Sequence, residues 1–197
     1  MPEGAPPARR GRRRLLDAEQ VVDAALAVMD AEGLDAVTFR RVSSELGVSH
    51  MTLYGYFDTK DALFEALVAR TITVPALEDH ADDDWRVTLT RLVHEIHREL
   101  VARPAIAELL TSRELSGSWI GRVREALLDV LREGGFDEQQ ATDGISALFN
   151  YLLGAVLIEA RRPRGGSADA FGLGVRYIVD GLAADLDAGG REGPAAA

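Results

Sequence analysis

Apolar residues recur at spacings of three and four along most of this 197-residue chain, the period of helices that bury one face. The first stripe is Val21, Ala25, Val28 and Met29. Asp17, with Gln20 three residues on, makes a capping-box start for it, and Gly33 stops it. A short segment from Phe39 to Leu46 follows behind Thr38, with Phe39, Val42 and Leu46 on one face. Gly47 is placed to close it in the left-handed conformation. Ser49 predicts a cap for a second short helix reaching about Phe57. Val48, Leu53 and Phe57 of that helix turn back toward the first, whereas His50, Met51, Thr52, Tyr54 and Tyr56 project outward. Asp58 and Thr59 offer the start of a fourth helix, Lys60 to about Ile72, with Leu63, Phe64, Leu67 and Val68 inward and Pro75 beyond its end.

The later stripes are longer. Trp85, Leu89, Leu92, Ile96 and Leu100 predict a fifth helix to Arg103, and its far side, Val87, Thr90, His94, His97 and Val101, is a mixed polar and apolar face. Pro104 opens a short helix to about Ser112. Ser118 to Glu133 reads as another, with Trp119, Val123, Leu127, Val130 and Leu131 inward, ended by Gly134 and Gly135. Asp137 and Gln140 form a second capping box for a helix reaching about Arg162. Between Ile145 and Ile158 that helix is apolar nearly all round, so other parts of the protein must cover it. Its fourteen residues are too few for a bilayer, and no apolar run in the chain approaches a membrane span. Gly144, Ala147, Gly154 and Ala155 would let neighbouring helices approach closely. Ser167 to Asp187 completes the series with Phe171, Val175, Ile178, Leu182 and Leu186.

No stretch reads as a strand and there is no internal repeat. The predicted class is all-α, with about nine helices divided into a three-helix head (15–60) and a larger helical body (61–187). Residues 1–14 are rich in Pro, Gly and Arg and read as a disordered basic arm; its arginines would either solubilise the chain or touch DNA. An acidic loop over 75–84, in which His80 is solvated, the RRPRGGS loop and a disordered tail at 188–197 complete the pattern.

Two short helices separated by a glycine turn describe a helix-turn-helix, and short hydrogen-bonding side chains facing outward suit a major groove. A solvated helical hairpin would show the same spacing. The residue pattern is more specific. G-V-S-x-x-T-L-Y-x-x-F-x-x-K, preceded by T-x-R-x-V-S, resembles the DNA-binding signature of the tetracycline-repressor family of transcriptional regulators. That resemblance implies operator contacts, mostly to phosphates, from Arg40, Thr52, Tyr54 and Lys60, with Thr38 and Ser49 at the helix starts, Tyr56 beside them and bases read by His50 and Met51. Gly55 stands where a bulkier residue is usual, and Tyr56 replaces a frequent His; both bear on which operator is read.

The resemblance continues in FNYLLGAVLIE and AFGLGVRYIVDGL, which look like the last two long helices of such regulators. It implies a homodimeric four-helix seam, here assigned to Leu148, Leu152, Ala155, Phe171, Val175, Ile178 and Leu182, and a palindromic double-stranded operator. It also implies a small-molecule pocket whose occupation spreads the heads. Asn150 is the one amide in the apolar stretch, and a buried amide needs partners. Either an effector meets it, in a pocket of Thr90, His94, His97, Phe149, Asn150 and Leu153, or the symmetry-related helix does. The first alternative suits an apolar or aromatic effector. The family's namesake holds its drug's magnesium through a His just after the fifth helix, where this chain has PAIAELLTSR, which disfavours tetracycline.

Charge and composition refine this picture. The net charge of −10 opposes nucleic-acid binding at first sight, since phosphates need Lys and Arg. Residues 1–60 are close to balance, with eight basic and nine acidic groups, against fourteen and twenty-three in the rest. The only lysine is Lys60. With no cysteine there is no disulfide or thiolate site, which suits a cytoplasmic protein. His94 and His97, with Glu95 and Glu99 nearby, could share a metal, but three or more ligands are normally needed and no H-E-x-x-H pattern is present, so no metal or cofactor is expected. No nucleophile elbow, Walker loop or dinucleotide fingerprint is present. The expectation is a non-enzymatic, ligand-responsive repressor. A DNA-binding activator or architectural protein without ligand is the alternative, and a helical-bundle metalloenzyme using His94 and His97 a remote one.

Overall fold

Capping and chain-reversing residues bound the helices of the computed structural model, which describes residues 16–72, 84–113, 118–161 and 168–189. Nine helices lie among them: α1 (Ala18–Glu32), α2 (Phe39–Leu46), α3 (His50–Leu53), α4 (Lys60–Thr71), α5 (Trp85–Ala102), α6 (Pro104–Ser112), α7 (Ser118–Glu133), α8 (Glu138–Arg161) and α9 (Ala168–Gly189). The basic arm, Pro75 with the acidic loop and His80, the RRPRGGS loop after Arg161, the side chain of Trp119 and the tail from 190 lie outside the described residues.

Both capping boxes are present. The Asp17 carboxylate accepts from the Gln20 N–H at 2.8 Å while the Gln20 amide oxygen accepts from the Asp17 N–H at 3.1 Å, and Asp137 and Gln140 repeat this at 2.8 and 3.0 Å. The Thr38 and Thr59 hydroxyls cap α2 and α4. Gly47 ends α2 at φ 65°, ψ 30°, a conformation that a side chain disfavours.

Three expectations need correcting. First, α3 is one turn rather than a helix to Phe57. After Leu53 the chain tightens, with the Gly55 and Tyr56 N–H groups donating to Thr52 and Leu53 carbonyls three residues back; Gly55 contributes no helix propensity to resist this. Ser49 also makes no capping bond, because its hydroxyl pairs with that of Thr52 at 3.0 Å. Second, α9 continues to Gly189, beyond the expected start of the tail. Third, α8 does reach the length and composition of a membrane span, with 24 residues and a mean hydropathy of 1.4 over its most apolar window. It is instead the central helix of the body. α5, α6, α7 and α9 all pack on it, and Ile145, Leu148, Leu152, Leu153 and Val156 are buried there. Nor is it covered on every side, since Ala147, Asn150 and Ile158 remain exposed.

The head is α1 to α3, closed by Val21, Ala25, Val37, Val42 and Leu53. α4 belongs to both parts. It packs on α1 and, through its buried Leu63, Phe64, Leu67 and Val68, on α6 and α7. Two ion pairs cross the same junction: Arg103 grips Asp30 of α1 with two nitrogens at 2.9 and 3.0 Å, and Arg113 meets Asp61 of α4 at 3.0 Å. Half-exposed pairs of this kind contribute about 1 kcal/mol or less, so they orient the head more than they stabilise it.

Candidate nucleic-acid interface and cavity

The start of α2, the turn after it and α3 carry a run of exposed side chains: Thr38, Arg40, Ser49, His50, Met51 and Tyr54 are all exposed, with Thr52 half-buried. Met51 is 65% and Tyr54 47% exposed, high values for side chains with so much apolar surface in a small head. Tyr54 is held edge-on to Phe39, with ring centroids 4.7 Å apart, so its hydroxyl is presented from a fixed ring. Tyr56 does the opposite of what the spacing implied. Its hydroxyl donates inward to the Leu16 carbonyl, tying the start of α1 to the end of the motif, so it is a structural residue.

Lys60 opens α4 beside this surface. Its ammonium lies 4.9 Å from the Phe64 ring centroid, and the Arg113 guanidinium lies 4.8 Å from the same ring. Burial, reinforced by the Arg113 charge, pulls Lys60 below the usual lysine range. A lysine held this way, with its stem on an aromatic ring, is poised to donate to a nearby phosphate.

The body contains a cavity of about 160 Å³ between α4, α5, α6, α7 and α8. Val68 and Ile72 of α4, Leu89, Val93 and Ile96 of α5, Leu110 of α6, Val123, Arg124 and Leu127 of α7, and Ile145, Ser146, Leu148, Phe149 and Leu152 of α8 line it. Of the six residues expected to form a pocket, only Phe149 does. Asn150 is exposed on the opposite side of α8, and Leu153 is buried but turned away. Thr90, His94 and His97 face α9 instead. His97 stacks on Phe171 at 3.6 Å and donates from Nε2 to Glu159 at 3.2 Å, while His94 donates from Nδ1 to the Thr90 carbonyl at 2.7 Å. Burial outweighs the Glu159 carboxylate and keeps the His97 pKa below that of free imidazole. Among the described residues no three groups converge as metal ligands. In the sequence pattern Val68, Leu89, Ile96, Val123 and Leu127 of this lining mark ordinary core faces and Leu148 and Leu152 the expected dimer seam, and no local signal separates a side chain that meets a void from one that meets a neighbour.

Comparison with known proteins decides the relationship. The family model described as bacterial regulatory proteins, tetR family, matches residues 21–67, and the tetracyclin repressor-like C-terminal domain matches 77–168. The chain is 31% identical over 201 residues to the class A tetracycline repressor from transposon 1721 of Escherichia coli, a match covering 85% of this chain and 91% of that protein. It belongs to the tetR family.

Another relative, the HTH-type transcriptional repressor DrrR1 of Streptomyces coeruleorubidus, is 31% identical over 149 residues, covering 74% of this chain and 54% of that longer protein. Among solved structures, BioQ of Mycobacterium smegmatis superposes with a TM-score of 0.75 at 26% identity, covering 86% of this chain and 98% of that one, and BioQ has also been solved with its natural double-stranded DNA operator. The tetR family consists of soluble DNA-binding transcription factors.

In this tetR-family chain the residues expected at the dimer seam lie largely inside the protomer. Leu148 and Leu152 line the cavity, Phe171 and Val175 are buried, Ala155 and Ile178 are half-buried, and Leu182 packs on Gly144. Among the described residues of α8 and α9 the large apolar side chains left uncovered are Ile158, 62% exposed, with Leu173 and Tyr177, 39% and 65%; Val87 and Val101 of α5 are also exposed, at 56% and 39%. Ala147, Asn150 and Ile158 share one face of α8 by helical spacing, and Leu173, Tyr177 and Ala184 one face of α9. Asn150 is exposed on this face, so the expectation of a buried amide that needs a partner does not hold within the protomer.

Proposed function

We propose that this ligand-responsive DNA-binding repressor acts in the cytoplasm as a homodimer on a palindromic operator and is released when a small apolar molecule enters the cavity. It performs no catalysis. The head of residues 15–60 reads DNA, and the body of residues 61–187 holds the ligand and the second copy.

One observation carries this reading: α4 touches both sites. Val68 and Ile72 line the cavity and Lys60, at the start of the same helix, borders the DNA-facing surface. The rise from Lys60 to Ile72 is about 18 Å at 1.5 Å per residue, short enough for a rigid helix to convey a tilt. A ligand that enters wedges Val68 and Ile72 away from Ile96 and Phe149. It shifts the population only to the extent that it binds the displaced arrangement more tightly than the DNA-bound one.

Val93→Phe tests the cavity. The added ring occupies the void at an overpacking cost of about 1–3 kcal/mol. Operator affinity should stay within about threefold of wild type, while release by any compound found in a screen of small aromatic molecules weakens about tenfold or more. A variant that responds like wild type would place the ligand elsewhere.

The head makes a separate prediction. Lys60→Ala should weaken binding to every duplex alike and lower the salt slope by about one, the loss of a single phosphate contact, whereas His50→Ala should relax preference at one base position. Selection from random DNA followed by salt-dependent titration reads both. Equal loss of preference in the two variants would remove the assignment of base reading to His50.

A further inference from the structure

The cavity wall indicates which chemical class fills it. Twelve of its fourteen lining residues carry only hydrocarbon or aromatic side chains; the exceptions are Ser146 and Arg124. The Ser146 hydroxyl donates its proton to the Thr142 carbonyl at 2.7 Å, so toward the cavity it can only accept. Arg124 is the one donor-rich group on the wall, and among the described residues its guanidinium has no hydrogen bond or ion pair.

The reason lies at the corner where α7 meets α8. Arg132 draws the acids of that corner to itself: Glu125 at 2.6 Å, Asp129 at 2.7 Å, and both oxygens of Glu138 at 2.9 Å. The Glu138 carboxyl is accordingly held below the usual carboxylate range, chiefly by its bonds to Arg132 and only slightly by the charge of Arg124. Arg124, an exposed residue at the rim of the cavity, keeps its five N–H donors and meets the Glu138 carboxylate, already bonded to Arg132, only through a weak coulombic attraction.

From these contacts we infer that the effector is a small carboxylate, with an apolar body in the cavity and its carboxylate bound by Arg124. Size narrows the body. An apolar cavity of about 150 Å³ holds one benzene ring, so a cavity of about 160 Å³ suits a single aromatic ring or a short acyl chain. Planar, two-nitrogen recognition of a carboxylate is the geometry for which a guanidinium is suited, and a neutral ester or amide of the same body forgoes it. This inference rests on the cavity being the effector site.

The test is calorimetric titration of the full-length protein with benzoate, 4-methylbenzoate, phenylacetate and hexanoate, each beside its methyl ester, using wild type, Arg124→Gln, Arg124→Lys and Val93→Phe. At least one acid should bind wild type about tenfold or more tighter than its ester. Arg124→Gln should erase that preference, Arg124→Lys should keep part of it, and Val93→Phe should weaken acid and ester together. Esters that bind as well as acids, or a preference that survives Arg124→Gln, would overturn the inference and leave the cavity standing as the effector site. If Val93→Phe alters no binding, or nothing in the panel binds, the inference fails in either case. Effector release from the operator by a neutral compound, blocked in Val93→Phe, would then show that the cavity reading survives alone.

Discussion

Replacing Tyr177 and Ile158 together by glutamate leaves the protein monomeric and lowers its affinity for a palindromic operator by about a hundredfold or more. These two side chains are 65% and 62% exposed on α9 and α8, the two longest helices of the body, and Leu173 lies one turn from Tyr177. In a two-fold interface each residue meets the same patch of the other copy, so every substitution acts twice and brings like charges together. Carboxylates desolvated there without partners cost far more than the lost apolar area. A monomer has one reading head, and it forfeits the gain from engaging both half-sites at once. Light scattering and operator titration read the two effects. A double variant that still weighs as a dimer would show that another surface holds the copies together, and a monomeric wild type would remove the homodimer from the proposal.

Phe64→Ala should be the most destabilising single truncation near the junction of head and body. Phe64 has no exposed surface, and its ring carries Lys60 on one side and Arg113 on another at 4.9 and 4.8 Å. Truncating a fully buried phenylalanine costs about 3–5 kcal/mol, a large part of the roughly 5–15 kcal/mol that holds a domain folded. For a chain of this size the melting temperature should fall by roughly 10 °C. Arg113→Ala removes one cation over the ring and one half-exposed ion pair, and should cost about 1 kcal/mol or less. The contrast separates packing from charge. Thermal melts followed by circular dichroism check it, and a Phe64→Ala protein melting within about 2 °C of wild type would show that the junction is not packed as described. Operator binding by that variant should also respond less to effector, since α4 would no longer move as one body with its first turn.

Where the sequence was read correctly, the signal was local. The caps at Asp17, Thr38, Thr59 and Asp137 and the turn at Gly47 depend on residues a few positions apart, and the structure has a hydrogen bond or a left-handed glycine at each. The stripe from Trp85 to Leu100 likewise marked the buried side of α5. α8 was harder for a physical reason. A helix apolar on nearly all sides has no polar face to show its orientation, so Asn150 could be assigned to a pocket, and Leu148 and Leu152 to a dimer seam, with nothing local to object. Tyr56 shows the same limit in the head: spacing along a helix put it outside, but the helix ends at Leu53 and the chain turns its hydroxyl toward Leu16, forty residues earlier.

Close approach was equally invisible. A Cβ at Gly174 would collide with the Tyr151 hydroxyl oxygen, and that hydroxyl reaches the Ala170 and Phe171 carbonyls at 3.2 Å. Nothing in the local pattern around Gly174 marks what it packs against. The sequence by itself determined the all-helical class, nearly every helix boundary and the DNA-reading signature between Thr38 and Lys60, because periodicity, capping and turn chemistry act over a few residues. The tertiary structure alone decided that α4 runs from Lys60 to the wall of a void, that Arg124 rather than Asn150 stands at that void, and that Ile158 and Tyr177 are left exposed. Those facts depend on the rotation and spacing of helices far apart in the chain, which are settled only when their side chains compete for the same volume.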